Sequence, residues 1–289
     1  MLSMPPLPRC LCPSIALALT LTLTLTTQAH ALTVTRGEVT QGGMVIITAS
    51  PTSRVTLTTA TANPSTRPLP LAANGQFVIG FATDATLPIT LDEYKADGSR
   101  LTLTLTPTPR HYETQRIDGL PSKYVSPPPE TQARIKSDRQ RVGTARRVNS
   151  RLTAWQEAFI WPCRGVITGV YGLRRFLNGK PRSPHYGIDI AAPRGTPVKA
   201  PASGEISMVG DLYYEGQTII MDHGHGVSST FLHLDEVAVA EGQAVAQGEV
   251  IGTVGSSGRS TGAHLDWRVN WYATRLDPML LVPPMPANN

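Results

Sequence analysis

The sequence predicts a mainly β protein whose two β regions are joined by a helical linker. Short runs rich in Val, Ile and Thr, broken by Gly, Pro and Asn turns, recur through most of the chain. Charged residues are 16% and aromatic residues 6%, which suits a Thr/Val/Gly/Pro-rich β protein. A single polar, proline-entered stretch without strand signals lies in the middle. The net charge of +5 is a mild excess, too little concentrated to argue for nucleic acid.

Residues 1–31 read as a signal peptide. Arg9 supplies the positive charge, residues 15–27 an apolar, threonine-rich core, and residues 29–31 the small cleavage site. That core is short for a membrane anchor. The residues before Cys10 lack the small side chains of a lipidation signal. The expected location is therefore the periplasm, with no membrane span after signal removal. Removal would also take Cys10 and Cys12, leaving Cys163 with neither an internal disulfide nor a Cys-based metal site.

Residues 32–108 read as a small Ig-like β-sandwich. "MVIITAS", "RVTLTTA", "QFVIGFA", "PITLDEY" and "RLTLTLT" alternate with the turns "TQGG", "NPSTRP", "AANG" and "ADGS". No cluster there invites chemistry, so a spacer or a wall- or partner-binding part is expected. Residues 109–158 form the linker. A proline entry, Glu130 in the first turn and many long polar residues predict an exposed helix over about 130–148, read first as a solvated connector and second as a docking helix. In residues 159–289 the β pattern returns with denser glycine and no apolar 3.6-residue period. An all-β domain large enough for its own core is expected.

The chain has seven histidines, and five fall between 185 and 264. His30 belongs to the leader and His111 to the linker. In "PHYGID", Pro184 and Gly187 argue against a helix, so His185 sits in a turn that runs into a strand. Ile188 and Ile190 would point to the core and Asp189 to the other face. Imidazole and carboxylate are both good zinc ligands. In "STFLHL", alternation puts Phe231 and His233 on one face. His223 and His225 in "DHGHG" read as structural or exposed turn residues. In "TGAHLDWRVNW", His264 and Asp266 leave a strand from the same face. Each element alone is matched by a plain structural reading. Three separate segments together can build a metal centre with two nearby imidazoles, and a catalytic zinc takes three protein ligands and a proton-transferring group.

Two rivals fail on context. "GRSTG" matches the G-x-S-x-G nucleophile pattern, but that elbow needs a helix after the serine, and here a strand follows. "EGQAVAQGEVIGTVG" looks like a biotinyl or lipoyl carrier repeat, yet no lysine follows Lys199.

The ordered set "YGLRRFLNGKPRSPHYGIDIAAPRGTPVKAPASGEI", "FLHL" and "GQAVAQGEVIGTVGSSGRSTGAHLDW" resembles the LytM/lysostaphin-type zinc endopeptidases of peptidoglycan, over roughly residues 161–278. The resemblance implies a lysostaphin-type β-sheet groove, open at both ends, that cuts peptide cross-links. It implies His185 and Asp189 as zinc ligands and His233 and His264 as catalytic residues acting on the attacking water. The family's third ligand is the second histidine of an H-x-H motif, and this chain has Asp266 there. The exchange is geometrically mild, since a carboxylate oxygen and an imidazole Nδ1 both lie two bonds from Cβ. It lowers the formal charge of a zinc centre from +1 to zero, which weakens the acidification of water and makes another divalent ion admissible. The expectation is a metal site of His185, Asp189 and Asp266. The alternative is a weak or inactive domain that binds the wall or activates other wall hydrolases or divisome proteins. Arg174, Arg175, Lys180 and Arg182 read as guides for anionic wall peptides or as a solvated loop. Trp267, Trp271 and Tyr272 read as core or groove wall.

Overall fold

The structure is a computed structural model and describes residues 31–61, 63–118 and 128–286. Residues 1–30 of the signal-peptide reading lie outside that range. Among the described residues no helix is long and apolar enough to cross a membrane.

The N-terminal part is two antiparallel sheets. Strands β1 (Thr33–Gly37), β2 (Met44–Thr48) and β5 (Gln76–Gly80) form a three-stranded sheet in the order β1-β2-β5. Strands β3 (Arg54–Thr59), β4 (Thr66–Leu69), β6 (Ile89–Tyr94) and β7 (Arg100–Leu105) form a second, in the order β4-β3-β6-β7. The five strands read from sequence are all present. The segment "NPSTRP" is a correction. It was expected to be a turn, yet Thr66–Leu69 pairs with β3 through Val55↔Leu69. Its proline is tolerated because β4 is an edge strand, where a missing N–H costs no ladder bond.

The linker holds a strand and a helix. Strand β8 (Thr114–Ile117) pairs in parallel with β10 (Arg174–Leu177), which forms a hairpin with β11 (Lys180–Arg182). Helix α1 (Gln132–Ala145) follows a 3-10 turn begun by Pro129. It is a docked element, contrary to the expected solvated connector. Val142 and Ala145 pack against Met208, Leu212 and Ile220, and Ile135 is buried as well. Asp138 accepts from the Tyr213 amide at 2.8 Å, and Arg134 pairs with Asp211 at 2.9 Å. A thin apolar stripe on a mostly polar helix suffices because the polar contacts flank it.

The C-terminal part is one ten-stranded antiparallel sheet. Its strands are β9 (Val166–Gly169), β12 (Ile188–Ala191), β13 (Pro197–Lys199), β14 (Gly204–Leu212), β15 (Gly216–Gly224), β16 (Val227–Val237), β17 (Ala244–Val245), β18 (Val250–Val254), β19 (His264–Trp271) and β20 (Thr274–Leu276). The main path runs β17-β14-β15-β16-β19-β12-β9, with β13, β18 and β20 attached. Phe231, Trp267, Ile188, Ile190, Leu265 and Val269 are fully buried on one face. They belong to a single apolar cluster that also takes in Ile47, Phe77 and Leu91 of the N-terminal sheets. Gly80 lies where an added Cβ would come within 2.8 Å of Leu276 and 2.9 Å of Trp271, so the two parts meet closely. Trp267 and Trp271 are core residues, and Cys163 is a buried free thiol whose pKa burial pushes up to about 12.

Candidate metal centre

Strands β12 and β19 build the centre. Their register sets Asp189 directly opposite Asp266 and Ala191 opposite His264. Side chains on directly opposed residues lie about 5 Å apart on one face of a sheet. His185 enters from the turn before β12, where its amide donates to the Leu173 carbonyl at 2.9 Å. One donor atom each of His185, Asp189 and Asp266 lies within 4.8 Å of the others.

His185 Nε2 is buried and 3.2 Å from Asp189 Oδ1, but it makes no aligned hydrogen bond to that oxygen. A buried polar nitrogen left without a hydrogen-bond partner beside two carboxylates is what an ion-binding position would look like. His264 Nε2 lies 3.9 Å from the same oxygen. Its Nδ1 faces the Gly262 carbonyl at 2.9 Å. A carbonyl only accepts, so Nδ1 carries a hydrogen, and Nε2 is the ring nitrogen on the side of the centre.

His233 reaches the centre by an unexpected route. Phe231 faces Trp267 in the core, and Leu232 faces Asp266, so simple alternation would send residue 233 to the core as well. The expectation that Phe231 and His233 share a face is therefore corrected. His233 has φ +62°, a left-handed conformation that interrupts the alternation. Its amide donates to the Glu215 carbonyl and its Nδ1 to the Ser257 carbonyl, at 2.9 and 2.8 Å. The ring stands 4.8 Å from that of His264, centroid to centroid. Burial holds its imidazole below the ordinary histidine pKa, so Nε2 is an unprotonated base near neutral pH.

Asp266 is not alone. Arg268, two residues on and on the same face, donates Nε to Oδ1 at 3.0 Å and Nη2 to Oδ2 at 2.5 Å. Burial alone would raise the Asp266 pKa, but this guanidinium and the neighbouring histidines hold its carboxyl below the usual range. Sequence reasoning passed over Arg268, although its D-x-R spacing on a strand was the available signal. Arg175 lies 3.4 Å from Asp189 Oδ2, so one of the basic residues before His185 touches the centre. Backbone approach also matters. A Cβ at Gly169 would stand 2.2 Å from Asp189 Oδ2, and one at Gly187 would stand 2.5 Å from Asp266 Oδ1.

The other histidines lie elsewhere. His223 is fully buried between the Ser203 carbonyl and Ser229 Oγ, at 2.7 and 2.8 Å. His225 packs on Trp155 with ring centroids 5.0 Å apart. Both are structural and buried. His111 is exposed beside Glu113. Ser260 lies 3.2 Å from His264 Nδ1 in a loop followed by β19, so no helix presents it as an elbow nucleophile would require.

Residues 183–278 match the model of peptidase family M23, and every residue of the centre falls within them. The chain carries an M23 peptidase domain. Over 102 residues it is 43% identical to the DD-carboxypeptidase/endopeptidase Mpg of Neisseria meningitidis, covering 35% of this chain and 24% of that protein. Over 87 residues it is 38% identical to the peptidoglycan DD-endopeptidase ShyA of Vibrio cholerae, covering 30% and 20%. The chain thus spans about a quarter or less of these relatives. The crystal structure of a Pseudomonas aeruginosa protein assigned to peptidase M23 aligns over 85% of this chain and 95% of that one, at 25% identity and a TM-score of 0.64. The likeness extends beyond the M23 domain into the N-terminal sheets and linker.

Proposed function

We propose that this protein is a metal-dependent endopeptidase that cuts peptide cross-links of peptidoglycan in the bacterial envelope. The observation that carries the reading is the closeness of His185, Asp189 and Asp266 ligand atoms beside the rings of His233 and His264, within residues that match the M23 model. The relatives named as peptidoglycan DD-endopeptidases support the substrate class.

The donor set fits a divalent ion, with zinc first. Two ligands about 2.1 Å from one ion lie at most about 4.2 Å apart. The His185–Asp189 distance of 3.2 Å already meets that limit, and all three ligand atoms lie within 4.8 Å of one another, so a small side-chain adjustment closes the set. A carboxylate offers about four lone-pair sites, so Asp266 can serve Arg268 and an ion together. Arg268 also answers the charge objection, because its guanidinium offsets the extra carboxylate and returns the local sum toward +1. When bound, the ion supplies Lewis acidity and a more acidic water. His233 and His264 then act at their Nε2 atoms, taking the proton of the attacking water and giving it to the leaving amide nitrogen as the C–N bond breaks. The fully buried floor of Leu265, Trp267 and Phe231 holds these side chains in place from behind.

One observation favours the second reading, a wall-binding regulator. Both oxygens of Asp266 already engage Arg268. Metal analysis after chelation and zinc return, with digestion of purified peptidoglycan, separates the two. One zinc per chain and muropeptide release that His264→Ala abolishes are expected. No stoichiometric metal, unchanged by Asp266→Ala, would sink the metallopeptidase.

A further inference from the structure

A cavity of about 600 Å³ lies between α1 and the polar face of the large sheet, and His185 and Arg268 form part of its wall. Its lining is unbalanced in charge. Arg146, just past the end of α1, and Arg275, on β20, face it together with Arg268. Glu215 is one of only two acids on the wall, and the other, Asp138, is engaged by the Tyr213 amide.

Among the described residues, neither Arg146 nor Arg275 has a carboxylate within ion-pair distance. Arg146 reaches the Thr230 hydroxyl at 3.3 Å, and its Nε is buried without a partner. Arg275 reaches Asn270 Oδ1 at 3.4 Å. Burial, with mutual repulsion from Arg268, pulls the Arg275 pKa down to about 10 and that of Arg146 well below its usual value. Guanidiniums crowded this way in a roofed cavity destabilise the fold unless an anion joins them. Their planar forks match a carboxylate in particular.

We propose that Arg146 and Arg275 form a carboxylate subsite beside the metal centre, which takes the free C-terminal carboxylate of a peptidoglycan stem peptide. This rests on the peptidoglycan reading of the site. The occupant follows from charge and position. The cavity is cationic, it runs up to His185, and a stem peptide lying across the centre would carry its terminal carboxylate into it. The subsite would position the scissile amide without touching it, and it gives the docked helix α1 a role in substrate choice.

The test measures binding by the full chain with metal chelated, so that no cleavage occurs. The probes are a stem pentapeptide ending in D-Ala–D-Ala as its free acid and as its C-terminal amide, followed by calorimetry. The acid should bind about ten-fold tighter or more than the amide, a difference worth roughly 1.4 kcal/mol. Arg146→Gln and Arg275→Gln should each abolish that preference, and Arg146→Lys should keep part of it. Equal binding of acid and amide overturns the subsite, as does a preference that survives both glutamine variants. Unfolding curves identify a variant that fails to fold, and the remaining one then decides. Loss of peptidoglycan digestion by the metal-loaded wild-type chain, with the acid preference intact, would count against the peptidase and for the subsite.

Discussion

The two faces of β19 obey opposite rules. Leu265, Trp267 and Val269 point into the core and are fully buried, and each must fit its neighbours by shape. His264, Asp266 and Arg268 point the other way, into a layer of charge where position relative to a few atoms matters more than volume. A strand one residue out of step would turn each set of side chains to the other face and fit neither. The core face therefore fixes the register that the polar face uses, and stability and chemistry are bound together by the two-residue period.

Substitutions on the two faces should separate these roles. His264→Ala should reduce peptidoglycan digestion by about 10²–10⁴-fold while the unfolding midpoint stays near wild type. Trp267→Ala, one turn of the pleat away from Asp266, should cost about 3–5 kcal/mol in denaturant unfolding through the cavity it leaves. If Trp267→Ala left stability intact, the division of labour between faces would fail. The pair Asp266–Arg268 is the next sharpest case, since the carboxylate is buried and the guanidinium nearly so. Asp266→Ala and Arg268→Ala should each destabilise by about 3 kcal/mol, and the double variant by clearly less than the sum.

Much of the polar face was legible beforehand. The period of two assigned His264 and Asp266 to one side, and the Pro184/Gly187 turn brought His185 to Asp189. His233 was placed on the wrong side because a left-handed residue inside a strand leaves no mark in "STFLHL". Its conformation is imposed by Glu215 and Ser257, which lie 18 and 24 residues away in sequence. Arg268 is not a ligand type, and only its D-x-R spacing from Asp266 on β19 marks it in the sequence. The docking of α1 leaves little trace in the sequence because Ile135, Val142 and Ala145 make too sparse a stripe to stand out among its charges. Strand β4 hid inside a turn-rich segment, and only its partner β3 reveals it.

Smaller effects probe the support around the carboxylates. Gly169→Ala would press a methyl against Asp189 Oδ2, so metal affinity should fall by about ten-fold with little change in unfolding. The smallest expected effect is on acid stability. Burial lowers the folded-state pKa of His223, His225 and His233. The unfolded chain therefore binds protons first, and stability should be full above about pH 6.5, decline as pH falls below that value, and level off only below the folded-state values. Unfolding curves across that window check the sign, and His223→Gln should flatten the slope.

The pairing of β8 with β10 bears on where this molecule begins as a working unit. The family match starts at residue 183, yet the hairpin just before His185 completes its sheet with residues 114–117, and α1 roofs the cavity beside it. A truncation that kept only the matched residues would lose β9 and the hairpin, bare the edge of β12 for other chains to seize, and remove α1 and Arg146 from the cavity. Fragments cut to the domain's boundaries should aggregate where the longer chain does not, and their specificity would describe a different binding surface.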